Sequence, residues 1–191
     1  MIRLRVPIAC LLALLALVGS AAAQAQEGDG LTLTAVAGFD GHYKEEQWVP
    51  IHVAVANSGE PIEGELRVAT GSNPTNNRVV YTSPVSLPTQ SDKRVSLYVY
   101  VPGFTRDLDL LLVDERGDTV ARVEMPLRRL SRQALLYGVV GDEPVALDLL
   151  ENVTGGRGDA AVAYVGIEQL PEAPAAWNSL DVLIFTNVDS G

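Results

Sequence analysis

Val95-Ser96-Leu97-Tyr98-Val99-Tyr100-Val101 places aliphatic residues at every second position, with Ser96, Tyr98 and Tyr100 between them. Period two sends one set of side chains to a core and the other to the opposite face of a sheet, so the stretch predicts a β-strand. The same alternation runs through Leu31, Leu33, Ala35 and Ala37 against Thr32, Thr34 and Val36. It returns in Ile51, Val53 and Val55 against His52, Ala54 and Ala56. Turn-forming clusters separate these runs: Asn57-Ser58-Gly59, Gly71-Ser72-Asn73-Pro74 and Pro102-Gly103. Glu115-Arg116-Gly117-Asp118 predicts a hairpin turn between Leu108–Val113 and Thr119–Met125. Seven or eight short strands with few helix signals predict an immunoglobulin-like antiparallel β-sandwich over residues 27–130.

The pattern changes near Ser131, after the basic joint Arg128-Arg129-Leu130-Ser131-Arg132. Ala134 to Val140 is an unbroken apolar run, as expected of a strand buried on both faces of a parallel sheet. Gly141-Asp142-Glu143-Pro144 then predicts a helix start, with Asp142 as N-cap and Val145, Leu149 and Val153, together with Ala146 and Leu150, on the buried face. Ala161–Val165 and Leu180–Phe185 predict two further strands. The succession of strand, helix, strand, loop and strand is the opening of a doubly wound α/β domain. Such a domain takes on the order of 100 residues, and residues 131–191 supply about 60. The expected fold class is therefore mainly β: a sandwich followed by the incomplete start of an α/β domain. On this reading residues 27–130 fold alone and residues 131–191 do not. A complete three-stranded appendage is the alternative.

The N-terminus carries Arg3 and Arg5, an apolar run from Val6 to Val18, and Ala21-Ala22-Ala23-Gln24-Ala25. Basic start, apolar centre and small-residue end predict a secretory signal peptide within residues 1–25, cleaved after Ala23 or Ala25. An uncleaved membrane anchor is the alternative. Cys10, the single cysteine, lies too early in the apolar run to be a lipobox residue and leaves with the signal. The mature chain then has no disulfide, thiol nucleophile or thiolate ligand. With Arg3 and Arg5 gone, twelve basic residues face 24 acidic ones, which argues against nucleic acid and anionic lipid surfaces as partners.

Several segments together resemble a family of bacterial envelope proteins in which an N-terminal β-sandwich precedes a class I glutamine amidotransferase-like α/β domain. In the sandwich they are Gln47-Trp48-Val49-Pro50, Val53-Ala54-Val55-Ala56-Asn57-Ser58-Gly59, Gly64-Glu65-Leu66-Arg67-Val68 and Ser86-Leu87-Pro88. Beyond it they are Gly138-Val139-Val140-Gly141, Leu170-Pro171 and Trp177-Asn178-Ser179-Leu180-Asp181-Val182-Leu183-Ile184. The resemblance implies an envelope location. It gives no catalytic residue here, because the family's nucleophile elbow belongs to a later strand.

Ligands of open α/β sheets bind at the carboxyl ends of the strands, which makes Gly141, Asp142, Asn187 and Asp189 the candidate ligand-binding residues. A capping role for Asp142 and a turn role for Asp189 are the plainer accounts. Tyr98 and Tyr100 share a strand face and are candidates for contact with a sugar or protein partner, or for covering the adjoining domain. His42 and His52, the two histidines, lack acidic neighbours at ligand spacing, so no metal or other cofactor is expected. No serine shows a histidine and acid partner in sequence, and Gly-x-Ser-x-Gly is absent. The expected function is an exported non-catalytic binding or assembly module, partnered by envelope proteins or the membrane through sequence beyond Gly191. An amide or acyl hydrolase with a downstream active site, and a carbohydrate-binding or adhesive sandwich, are the alternatives.

Overall fold

A computed structural model describes residues 24–28, 30–71, 78–141 and 147–186. The protein is mainly β, with two antiparallel sheets and two smaller parallel ones among the described residues. Strands β1 (Gln24–Gly28), β2 (Leu31–Ala37), β4 (Gln47–Asn57) and β7 (Ser91–Val101) form one four-stranded antiparallel sheet in the order β1-β2-β4-β7. Strands β5 (Ile62–Thr70), β6 (Val79–Leu87), β8 (Asp107–Asp114) and β9 (Thr119–Pro126) form a second, in the order β6-β5-β8-β9. Both sheets feed one core. Leu33, Ile51, Val53, Leu97 and Val99 enter it from the first, and Leu66, Val68, Leu110, Leu112 and Met125 from the second. The period-two reading therefore selects the buried face correctly in β2, β4 and β7.

The turns follow their sequence chemistry. Asn57 closes the β4–β5 turn: its Oδ1 accepts from the Gly59 N–H at 3.0 Å and its Nδ2 donates to the Leu87 carbonyl at 2.9 Å. Asp114 Oδ1 accepts from the N–H groups of Arg116 and Asp118, both at 2.9 Å, which shapes the predicted β8–β9 hairpin. Buried Tyr43, on the short strand β3 (His42–Lys44), fastens the β7–β8 loop. Its hydroxyl donates to the Thr105 carbonyl at 3.0 Å and accepts from the Thr105 N–H at 2.8 Å. The turn expected at Gly71–Pro74 lies mostly outside the described residues.

Strand β10 (Arg128–Leu130) pairs in parallel with β3, so the chain leaving the antiparallel body is itself held in a ladder. Beyond it, β11 (Leu135–Val140), β12 (Ala160–Val165) and β13 (Val182–Phe185) form the expected parallel sheet, in the order β12-β11-β13. The α-helix expected from Asp142 onward is a correction. The described part of that connection is a five-residue 3-10 helix, Asp148–Asn152. A 3-10 helix turns every three residues, so Leu147 and Leu150 face the sheet while Leu149 points to solvent; Val153, which follows the helix, is also exposed. Two tyrosines fasten the segment. The Tyr137 hydroxyl donates to the Val153 carbonyl at 2.6 Å, and the Tyr164 hydroxyl donates to Asp148 at 2.8 Å.

The parallel sheet is joined to the antiparallel body at three places. Phe39, fully buried in the turn after β2, packs with Leu136, Val140, Ala163 and Val165 of the parallel sheet. The 3-10 segment Pro174–Ser179 packs on β4. Lys44 of β3 pairs with Asp181 at 2.5 Å, with side chains only 5% and 20% exposed. The same Asp181 carboxylate accepts the Leu136 N–H at 2.8 Å, while the Asp181 N–H donates to the Leu136 carbonyl at 3.0 Å. One aspartate thus fixes the entry of β11 and the approach to β13, and secures both to β3.

The asymmetry of this pair predicts two different mutant costs. Asp181→Ala leaves the Lys44 ammonium buried without a partner, a loss of about 3–5 kcal/mol. Lys44→Met leaves Asp181 its Leu136 N–H and Arg157 contacts and costs less. Denaturant unfolding ranks the two. Hydrogen exchange should place the loss of protection in β11–β13, with β4 and β7 unchanged; equal losses for both variants would contradict the assignment.

Candidate functional site

Alternation along β4 and β7 decides which polar side chains meet at the joint. Ile51 and Val53 turn into the core, so His52 turns outward, and cross-strand register sets Ser96 directly opposite it. In β7, Leu97 and Val99 turn inward and Tyr98 outward. The outer face of this sheet is covered in part by the second half of the chain, and that cover gives these residues their surroundings.

His52 points out of the core as expected, yet lies beneath the segment Ile167–Gln169 rather than in solvent. Its Nδ1 is 3.5 Å from the Ser96 hydroxyl, and its buried Nε2 has no hydrogen-bond partner among the described residues. Burial lowers its pKa below the ordinary 6.5; the nearby Gln169 backbone and the Glu168 and Glu172 carboxylates oppose this without reversing it. Ser96 and His52 are therefore neighbours across strands, a contact that the sequence does not announce. The contact is long, and among the described residues no acid bonds the other ring nitrogen to orient the base as a nucleophilic triad requires.

His42 is 9% exposed at the start of β3, with its Nδ1 buried and unpartnered among the described residues. Burial lowers its pKa, and the Arg128 guanidinium lowers it further, against opposition from Asp40, the Phe39 backbone and Glu151. Among the described residues no group of three or more histidine, cysteine, aspartate or glutamate side chains is placed to hold a metal ion.

The two tyrosines part company. The Tyr98 hydroxyl accepts from the backbone N–H groups of Glu172 at 2.9 Å and Ala173 at 3.3 Å, so Tyr98 covers the second half of the chain. Tyr100 is 36% exposed and lies edge to face with Trp48, ring centroids 6.0 Å apart. Trp48, itself 37% exposed, makes a second edge contact with Tyr81 at 6.0 Å. Nothing in the sequence links Tyr81 to Trp48, because strands of different sheets bring them together.

Gly141, the residue after β11, lies beside Thr186, which follows β13. A Cβ at position 141 would overlap the Thr186 carbonyl and hydroxyl, so the two strand ends approach as only glycine permits. Thr186 N–H donates to the Val140 carbonyl at 2.8 Å. Asp142, Asn187 and Asp189 lie outside the described residues.

The family described as a domain of unknown function, DUF8726, matches residues 30–128, which span β2 to the start of β10. No curated protein matches the chain. Similar solved structures include the Pseudomonas fluorescens alkylpurine DNA glycosylase AlkC bound to DNA containing an abasic site analogue, at 8% identity and a TM-score of 0.37. That match covers 53% of this chain and 31% of the glycosylase, so the chain spans about a third of its length. Another is the CARDB domain of a Pyrococcus furiosus protein in complex with di-metal ions, at 16% identity and a TM-score of 0.35, covering 50% of this chain and 87% of that one. A Niemann-Pick type C2 protein from Japanese carpenter ant matches at 11% identity and a TM-score of 0.30, covering 47% of this chain and 79% of that one. Likenesses at this level carry no functional information.

Both histidines are held neutral by burial, and this fixes the sign of a pH effect. The unfolded chain takes up protons near 6.5, whereas the folded protein takes them up only at lower pH. Their contribution to stability is complete above 6.5 and is lost as pH falls below it. Thermal unfolding followed downward from neutral pH should show a falling Tm, and the double variant His42→Gln, His52→Gln should flatten that slope. An unchanged slope in the double variant would refute the assignment.

Proposed function

We propose, for this chain, which belongs to the DUF8726 family, the role of an exported, non-catalytic envelope protein acting as a binding or assembly module. In this reading the two antiparallel sheets are an immunoglobulin-like sandwich, supported by their shared core and four-strand orders. The second half is the start of an amidotransferase-like doubly wound domain, supported by three parallel strands with the first in the middle. The observation that carries the functional reading is the joint. Lys44–Asp181, Phe39 and Tyr98 secure one part to the other. Apart from the long Ser96–His52 contact, none of these groups is placed for chemistry. Two parts fixed rigidly together present a composite surface, which is what recognition requires.

Export is tested by processing. Strand β1 starts at Gln24 and runs antiparallel to β2, pairing Gln24 with Ala35 and Ala25 with Thr34. Cleavage after Ala23 keeps all five pairings, and cleavage after Ala25 removes two. The secreted product should therefore begin at Gln24. N-terminal sequencing that finds Met1 would overturn export, and one that finds Gln26 would overturn the site alone.

The carbohydrate-binding reading is favoured by one observation, the half-exposed aromatic group Trp48, Tyr81 and Tyr100 at the β6–β7 edge. Aromatic faces of this kind pack against the C–H faces of sugar rings. If it holds, Trp48→Ala should weaken binding to an oligosaccharide array by about ten-fold or more. Undiminished binding would remove this reading.

A further inference from the structure

The outer face of β4 and β7 and the segment Ile167–Gln169 enclose a cleft of about 230 Å3. Its polar lining comes from Thr34, His52, Arg94, Ser96, Glu168 and Gln169. That volume is below the roughly 300–1,000 Å3 of sites for drug-sized molecules, so any occupant is small.

The charges in this lining are one guanidinium and one carboxylate. Among the described residues neither Arg94 nor Glu168 has an ion-pair or hydrogen-bond partner, and the two do not pair with each other. Each is placed by a different part of the fold. Arg94 sits on β7 opposite Ala54 of β4. Glu168 folds back over Gly166, where a Cβ would occupy the space its carboxylate takes. The Gly166 N–H donates to Gln169 Oε1 at 2.9 Å and fixes that turn. The same lining holds the Ser96 hydroxyl and the His52 ring, whose buried Nε2 is unpartnered among the described residues. A buried polar atom without a partner marks a place where a ligand or water completes the bonding.

A simple anion drawn to Arg94 would meet repulsion from Glu168, and a simple cation drawn to Glu168 would meet it from Arg94. A molecule carrying both charges satisfies both walls. We propose that the cleft binds a small zwitterion of amino-acid size, its carboxylate on Arg94 and its ammonium on Glu168, with His52 and Ser96 supplying neutral polar contacts. The inference deepens the binding-module reading and rests on its premise that the two parts are closed on each other.

Isothermal titration of the purified full chain tests it. The probes are glycine, L-alanine, D-alanine, L-glutamate and glycylglycine, with acetate and methylammonium as single-charge controls. At least one zwitterion should bind saturably, and each control about ten-fold or more weaker. Arg94→Ala and Glu168→Gln should each weaken that zwitterion by about ten-fold or more. Both residues are exposed and unpaired among the described residues, so Tm should not change. Gly166→Ala, which displaces only the flexible tip of Glu168, should weaken binding in the same way. Saturable binding that survives both charge variants, or acetate binding as tightly as the zwitterion, would overturn the proposal. So would the absence of binding by all five zwitterions when limited proteolysis finds the joint closed. A joint cut readily in the unliganded wild-type protein would overturn the binding-module reading along with it.

Discussion

The ion pair between Lys44 and Asp181 is the constraint on which the arrangement of the two halves depends. An ammonium and a carboxylate lose hydration when they are buried, and the loss is recovered only if geometry and further hydrogen bonds are good. Here the aspartate is satisfied three ways, by Lys44, by the Leu136 N–H and by a longer contact with Arg157 at 3.4 Å. The lysine has a single partner in that set. Specificity follows from this difference. The parallel sheet can shift against the antiparallel body only by stranding a buried ammonium, so one docking geometry is selected over its neighbours.

Apolar packing supplies the rest of the attraction without comparable selectivity. Phe39 leaves the turn after β2 and joins a core made otherwise of the parallel sheet and its flanking segments. That core covers one face of β11–β13. The opposite face is covered by the short 3-10 helix and its neighbours, where Leu149 and Val153 remain exposed. Sheet residues are thus buried on both faces, Leu136 and Ala163 on one and Val139 and Val162 on the other, and only the first face is turned toward the antiparallel body.

Much of this was legible in the residues, and the losses have specific causes. Strict alternation in β2, β4 and β7 named the buried set, because period two is a local property of the chain. Asn57 and Asp114 announced their turns through side chains that bond their own neighbourhood. The segment after Val140 was misread because Val145, Leu149 and Val153 share an α-helical spacing of four. Of that expected face Leu150 does pack, but with Leu147, three residues before it, while Leu149 and Val153 are exposed. The joint was illegible for a different reason. Lys44, Asp181, His52 and Ser96 carry no local signature of their roles, which arise from strand register and from contacts across as many as 137 residues.

The β3–β10 ladder bears on how the molecule would carry load. Arg128, Arg129 and Leu130 pair in parallel with His42, Tyr43 and Lys44, immediately before the chain enters the second half. A tension applied through residues beyond 130 is shared between this strand and the contacts of the joint, Phe39, Lys44–Asp181 and Tyr98 among them. Because β10 lies along β3, its backbone bonds would resist sliding together instead of peeling one at a time. Ladder and joint together act as a strut, and a pull on the distal half would be delivered to the antiparallel body with little stretch in between.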